Sequence, residues 1–286
     1  MPLDSRMVGQ RSEAVTHDVD ARWTMAYAAG LGDTLPGYFD TTANDPVLAH
    51  PLFPVCLEWQ VGIDGSSDGI PGLRRDEVGR GVHATHDLHI HRPIRAGDRL
   101  TTVATTIGIE QRKPGAYRVV RFDTHDADDR LVCTTYSGSL MLDIPVAGDD
   151  RWIEALPEIP DVTSQALESR HYEMSVSAGA AHVYTECARI WNPIHTDRAV
   201  AKRATLPEII LHGTATLAMA VSTLVQQVLD GEVGRVRRVS CRFGAMVLMP
   251  STLTLEVSVF GKGELGFQVL TADGARAISH GYLAWA

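Results

Sequence analysis

One order of residue types occurs twice in this chain of 286 residues, and a repeated order of strand, turn and strand restricts the fold to two similar units. In the first copy, residues 83–91 read as a strand, Arg92-Pro93-Ile94-Arg95-Ala96-Gly97-Asp98 as a turn, and residues 100–107 as a second strand. In the second copy, residues 236–243, 245–250 and 253–259 follow the same plan. Apolar and polar residues also alternate over 118–123, 131–142 and 267–270, which predicts half-buried antiparallel strands, because successive strand side chains point to opposite faces. Each copy is preceded by a helical segment and an irregular stretch, 21–30 then 32–54, and 178–188 then 190–207. A helix followed by a meander of strands implies an α+β fold with a sheet wrapped against one long helix.

Between the copies, residues 144–162 hold several prolines, glycines and acids, and read as a linker dividing units 1–148 and 163–286. Apolar content of 44% with 21% charged residues is that of a globular protein, and no apolar run reaches the length of a membrane span. The N-terminal residues lack the apolar core of a signal peptide. Cys56, Cys133, Cys187 and Cys241 stand far apart with no CxxC pair, so a reducing cytoplasm is the expected compartment. The formal charge of −9 argues against nonspecific nucleic-acid binding while leaving room for small basic patches.

His83, His86, His89 and His91 invite a metal reading. Alternation, however, turns His86 away from His89, and no cysteine or carboxylate stands at a matching ligand spacing, so no metal site is expected. The Gly-x-Gly at 261–263 lies between strand runs and reads as a turn. No Gly-x-Ser-x-Gly element supports a serine hydrolase.

The residues most suggestive of chemistry are Asn192-Pro193-Ile194-His195-Thr196-Asp197, followed by His212-Gly213. Pro193 fixes its own φ and biases Asn192 out of the α region, so His195 is predicted to stand on a rigid turn. An imidazole titrates near neutrality and can serve as a general base. From Gly213 onward Leu217, Val221, Leu224, Val225, Val228 and Leu229 recur at helical spacing, with Gly231 as a stop. A glycine amide at that helix start is a natural oxyanion donor.

This pattern resembles the MaoC-like (R)-specific enoyl-CoA hydratase and dehydratase family, whose signature is an Asn-Pro-x-His-x-Asp turn followed by His-Gly. Weaker matches in the first half, at residues 27–32, 50–55 and 91–94, extend the resemblance over nearly the whole chain. It implies a double hot-dog: two units, each an antiparallel sheet wrapped on a central helix. It also implies a CoA-bound or carrier-protein-bound acyl thioester as substrate, no cofactor, and a sheet pairing met within one chain, with a homodimer left open. The resemblance makes His195 and Gly213 catalytic; by reach alone Asn192, Asp197, His212 and Arg237 are candidate substrate contacts, with Asn192 placed to orient the water or the histidine and Asp197 to tie the turn together.

One position departs from the family. The acid that pairs with the histidine stands five residues before it, and that position is Ile190. Glu186, Glu208 and His212 are candidate replacements, with Tyr184 further away. Arg235, Arg237 and Arg238, or Lys202 and Arg203, would meet CoA phosphates or form a solvated charged face. The loss of the acid keeps three alternatives open: a thioesterase, an atypical elimination or isomerisation, and a non-catalytic thioester-binding subunit.

Overall fold

The structure is a computed structural model and describes residues 2–64, 81–160, 167–259 and 263–286. In chain order its strands are β1 (Leu3–Asp4), β2 (Val15–Asp18), β3 (Gly81–Ile90), β4 (Arg99–Arg112), β5 (Gly115–His125), β6 (Leu131–Leu142), β7 (Val146–Ala147), β8 (Arg151–Trp152), β9 (Glu168–Val176), β10 (Val236–Phe243), β11 (Ser251–Val259), β12 (Glu264–Leu270) and β13 (Arg276–Trp285). The helices are α1 (Ala21–Gly30), α2 (Pro36–Phe39), α3 (Pro54–Asp64), α4 (Ala180–Ala188), α5 (Arg198–Arg203) and α6 (Gly213–Val228).

One large sheet runs β2-β4-β5-β6-β3-β10-β13-β12-β11-β9, with β8 attached to β4. The order in the second half mirrors that of the first about the β3–β10 seam, where Val239 pairs with Leu88 and Cys241 with His86. Pairing the two inner strands removes one exposed edge from each half. One apolar core crosses the seam, joining Leu88 and Ile90 to Val239 and Cys241.

α6 is buried almost all round. Leu217, Val221, Leu224 and Val225 are fully covered, and Ala215, Ala218 and Ala220 give the small surfaces that let packed elements approach closely. A helix apolar on every side belongs in an interior, and this one lies in the core shared with β10–β13. α1 and α4, one from each half, also pack together. At their contact a side chain on Gly30 would meet Cys187 Cβ at 2.9 Å, and Arg189 lies over the Trp23 ring at 3.9 Å.

The structure moves several expected boundaries. α4 begins at Ala180 rather than residue 178, and short helices interrupt both irregular stretches. β2, β9 and β13 were not expected as strands. β13 escapes the alternation rule because His280 adopts a positive φ of 51° and its pairing with β12 shifts register twice. The segment read as a linker is pinned over its first part: β7 pairs with β1, and β8 lays Trp152 on Gly108 of β4. Its residues 161–162, and Gly261 and Lys262 of the expected Gly-x-Gly turn, lie outside the described residues. No described helix is long and apolar enough to cross a membrane.

The four histidines separate. A register shift between His83 and Thr85 brings the His83 and His86 rings to 5.4 Å on one face. His89 contacts Asp87 at 3.2 Å, and Arg238 holds the same carboxylate at 2.8 and 2.9 Å. His91 lies just beyond the strand end.

Candidate active site

The Asn192 turn is built by short-range caps. The Asn192 side chain accepts from Ile194 N at 3.3 Å, which starts a 3-10 turn over Pro193–His195. Asp197 then caps α5, accepting from Ala199 N at 2.7 Å and Val200 N at 3.2 Å. These bonds give Asn192 and Asp197 structural roles in the turn, a reading that stands beside substrate contact for both.

His195 is 9% exposed, and its Nδ1 lies 2.8 Å from the Ile210 carbonyl oxygen. A carbonyl only accepts, so Nδ1 carries the proton and Nε2 keeps a free lone pair. The carbonyl is itself held in place: Ile210 bridges to Leu248, and Leu211 N donates to Val247 O at 2.9 Å. Burial lowers the His195 pKa to about 4, against the opposing effect of the Ile210 bond. The ring is therefore neutral at pH 7, with its lone pair available.

His212 stacks on His195 with ring centroids 3.6 Å apart. Its Nε2 lies 3.3 Å from Thr185 Oγ1, and the Ile190 backbone acts on the buried ring in the opposite sense to burial. Burial first, then the neighbouring His195, lowers its pKa to about 2. Both rings are thus neutral, and no cation–cation repulsion opposes their stacking.

His212 is also the N-cap of α6, with no side-chain bond across the cap. The first amides of that helix, beginning with Gly213, have no acceptor among the described residues and carry the positive end of the helix dipole. Phe243 covers the Gly213 Cα so closely that a side chain there would meet its ring at 3.0 Å. The His195 ring and the unpaired helix start are therefore joined through one stacked ring.

The position of the family acid is occupied by hydrocarbon. Ile190 is 6% exposed and belongs to the main core, and its backbone carbonyl accepts from Asn192 N at 3.1 Å. Among the candidate replacements, Glu208 is bound to Arg198 at 2.9 Å and to Ile209 N at 3.0 Å. His212 has no proton to give at neutral pH beyond its one ring N–H. Tyr184 is buried, its hydroxyl donating to Thr214 at 3.1 Å. Glu186 lines a cleft of about 300 Å³ with Thr185, Trp191, Pro193, Thr196 and His182.

The basic cluster is engaged internally. Arg237, expected at the substrate, bonds the Gly234 and Val236 carbonyls at 2.7 and 3.0 Å, and no contact brings it to the His195 turn. Arg235 bonds Ala286 O, and Arg238 bonds Asp87. Lys202 and Arg203 are exposed at the end of α5.

Sequence reasoning passed over Thr185, Thr214 and Phe243. Thr185 and Thr214 gave a weak signal as polar residues at helix positions next to the motif. Phe243 could be reached only through the strand pairing that aims it at Gly213.

Residues 165–279 match the family described as MaoC like domain, and residues 6–135 match the FAS1-like dehydratase domain region. The chain is 24% identical over 284 residues to 3-hydroxyacyl-thioester dehydratase Y of Mycobacterium tuberculosis, covering 97% of this chain and 95% of that one. Its fold superposes on a MaoC-like dehydratase from Phytophthora capsici with a TM-score of 0.82 at 21% identity, covering 97% of this chain and 95% of the other. A second structure, a Mycobacterium tuberculosis protein described as having a double hotdog fold, matches with a TM-score of 0.65 at 18% identity over 98% of this chain and 96% of its own. The chain thus carries a MaoC-like domain over residues 165–279 and a FAS1-like dehydratase domain region over residues 6–135, and its fold is a double hot-dog of α+β class.

Proposed function

We propose that the chain is a hydro-lyase that interconverts a 2-enoyl thioester and the corresponding 3-hydroxyacyl thioester, carried on CoA or a carrier protein. The observation that carries this reading is the His195 tautomer: Nδ1–H is held by the Ile210 carbonyl, and Nε2 is free one stacked ring away from the Gly213 amide.

In the hydration direction, Nε2 takes a proton from water as the water oxygen bonds to C3. The π electrons move onto the thioester oxygen, and the Gly213 N–H donates to the enolate so formed. The imidazolium then returns its proton to C2, and the carbonyl is restored. Dehydration runs the same steps backwards. Donors of this kind contribute about 2.7–4 kcal/mol to the transition state.

With Ile190 in the place of an acid, His195 serves as base and then as acid. Its pKa of about 4 makes it a weak base but a strong acid once charged, which favours the second transfer over the first. Capture of the water proton is accordingly the demanding step. The first unit, residues 1–148, would shape the acyl pocket, and the second, residues 163–286, would supply His195 and Gly213.

The test is an ultraviolet assay at the enoyl-thioester absorbance over a panel of enoyl-CoA chain lengths, with His195→Ala as control. Consumption by the parent and not by the variant is the expected result. Equal rates for the two, or no consumption of any thioester, would refute the assignment.

A further inference from the structure

We propose that the Thr214 hydroxyl is a second oxyanion donor, acting beside the Gly213 amide on the thioester oxygen and oriented by the buried tyrosine pair Tyr27 and Tyr184. The inference rests on the hydro-lyase reading above and adds a residue to it.

It follows from counting protons along a chain of hydroxyls. Tyr184 Oη donates to Thr214 Oγ1 at 3.1 Å. Tyr27 Oη lies 3.3 Å from Tyr184 Oη and 3.3 Å from the Leu52 carbonyl oxygen, which only accepts. Both tyrosines are fully buried, and burial raises the pKa of each well above the ordinary phenol value, so both keep their protons. The single proton of Tyr184 goes to Thr214. Thr214 Oγ1 thus accepts one bond, and no acceptor for its own proton exists among the described residues. A hydroxyl that accepts from a neighbour becomes a better donor to the next group.

Position decides where that proton points. Thr214 is the second residue of α6, and helix side chains lean toward the N-terminus, so its hydroxyl leans toward the end where the Gly213 amide is free. The neighbouring positions contribute in the same sense. Thr216 returns its hydroxyl to the His212 carbonyl at 3.3 Å, the ordinary fate of a helical threonine, whereas Thr214 makes no such bond. Thr214 is also partly open, unlike the wholly buried tyrosines behind it.

The missing acid gives this donor a task. When a carboxylic acid protonates C2 as water adds, little charge collects on the thioester oxygen. With Ile190 there, the proton arrives only after His195 has received it, and the oxygen carries a fuller negative charge in the interval. Two donors on that oxygen, one amide and one polarised hydroxyl, suit such an enolate.

The experiment compares Thr214→Val, Thr214→Ser and Tyr184→Phe with the parent in the hydration assay, with melting temperatures recorded and His195→Ala as control. Thr214→Val is expected to lower kcat about 100-fold with little change in KM, by analogy with the removal of other oxyanion donors. Thr214→Ser is expected to recover most of that loss. Tyr184→Phe should lower kcat by less, and should have no further effect once Thr214 is valine, because it acts through that hydroxyl. If Thr214→Val does not fold, Thr214→Ala takes its place. A second readout needs no turnover: the infrared stretch of a ¹³C-labelled carbonyl in a bound saturated acyl-CoA, expected to shift to lower frequency in the parent and less so in Thr214→Val. A Thr214→Val enzyme with parental kcat and carbonyl shift, in an assay that His195→Ala fails, would overturn this donor and leave the hydro-lyase reading intact. Parent and His195→Ala behaving alike would overturn that reading, and the donor with it.

Discussion

His195 and His212 lie with their ring planes at 25° and their centroids 3.6 Å apart, and both are neutral because burial disfavours the charge on each. The stack couples His195 to the start of α6: a charge on His212 would repel the imidazolium that His195 would become in the proposed reaction. Neutral His212 instead offers a polarisable face.

This sets the pH profile. With a pKa of about 4 for His195, kcat/KM is expected to hold level from pH 8 down to about pH 5 and to fall only as pH approaches 4. Initial rates over that range, after checking that the enzyme recovers full activity on return to pH 7, measure the acid limb. A midpoint near the ordinary histidine value of about 6.5 would mean that the ring is not buried as described.

The same burial makes the fold acid-labile. His50, His86 and His212 join His195 with pKa values lowered to about 3, 3 and 2. Each folded pKa lies below its unfolded value, so between the two the unfolded chain binds more protons and stability falls as pH drops. Well below pH 6.5 each such ring removes up to about 1.4 kcal/mol per pH unit, and because the unfolded ring is only half protonated at pH 6.5, two of them remove about 3 kcal/mol between pH 6.5 and 5. Urea midpoints at those two pH values should differ by that amount or more. Equal midpoints would contradict the buried, neutral histidines.

Glu58 has the opposite sign. Burial raises its carboxyl to about 7, against the Thr135 hydroxyl that donates to it, so the folded state holds a proton that the unfolded state releases. Its stabilising contribution is complete below about pH 4.5 and is lost as pH rises through 7. Glu58→Gln stays neutral throughout and should match the parent at pH 5 while exceeding it by about 1–3 kcal/mol at pH 8. The comparison of denaturation midpoints at the two pH values is decisive, since an equal effect at both would point to packing rather than charge.

How far the sequence is legible depends on whether the signal is local. The strands 131–142 and 236–243 were found to the residue, although burial along neither alternates simply and β10 shifts register twice against β13. β13 was not found, because Gly281 sits where a side chain would meet the Phe267 carbonyl at 2.5 Å, a demand that exists only once β12 has paired with it. At the candidate site, the motif singles out His195 and Gly213 for test, since a proline turn and a helix start are both local. Nothing local tells which nitrogen of His195 carries the proton; that depends on the Ile210 carbonyl, 15 residues away in sequence. The roles of Asn192 and Asp197 were ambiguous for the converse reason, because capping residues and ligand-binding residues are of the same chemical types.

Asp197 tests that ambiguity. As the N-cap of α5, exposed and bonded to two backbone amides, it contributes about 0.5–2 kcal/mol of stability. Asp197→Ala should lower the melting temperature by a few degrees and leave kcat within a few-fold of the parent. A loss of kcat comparable to that of His195→Ala would restore Asp197 to the reacting atoms.

Gly213 can be separated into its two roles. A β-carbon there would lie 3.0 Å from Phe243 Cδ1 and 3.2 Å from Cε1, so Gly213→Ala forces either the ring or the helix start to move. Alanine suits the helix backbone, and the amide itself is retained. Any loss of activity therefore reports displacement of the donor, and a misplacement of about 1 Å costs on the order of 100-fold. Phe243 is partly exposed at the end of β10, and replacing it with a smaller side chain removes the collision. Gly213→Ala alone is expected to lower kcat by at least tenfold, and Gly213→Ala with Phe243→Ala to regain much of it. If the double variant is as impaired as Gly213→Ala while Phe243→Ala alone is active, collision with the ring is not the cause, and the glycine is required for some other approach to its Cα, such as that of the substrate itself.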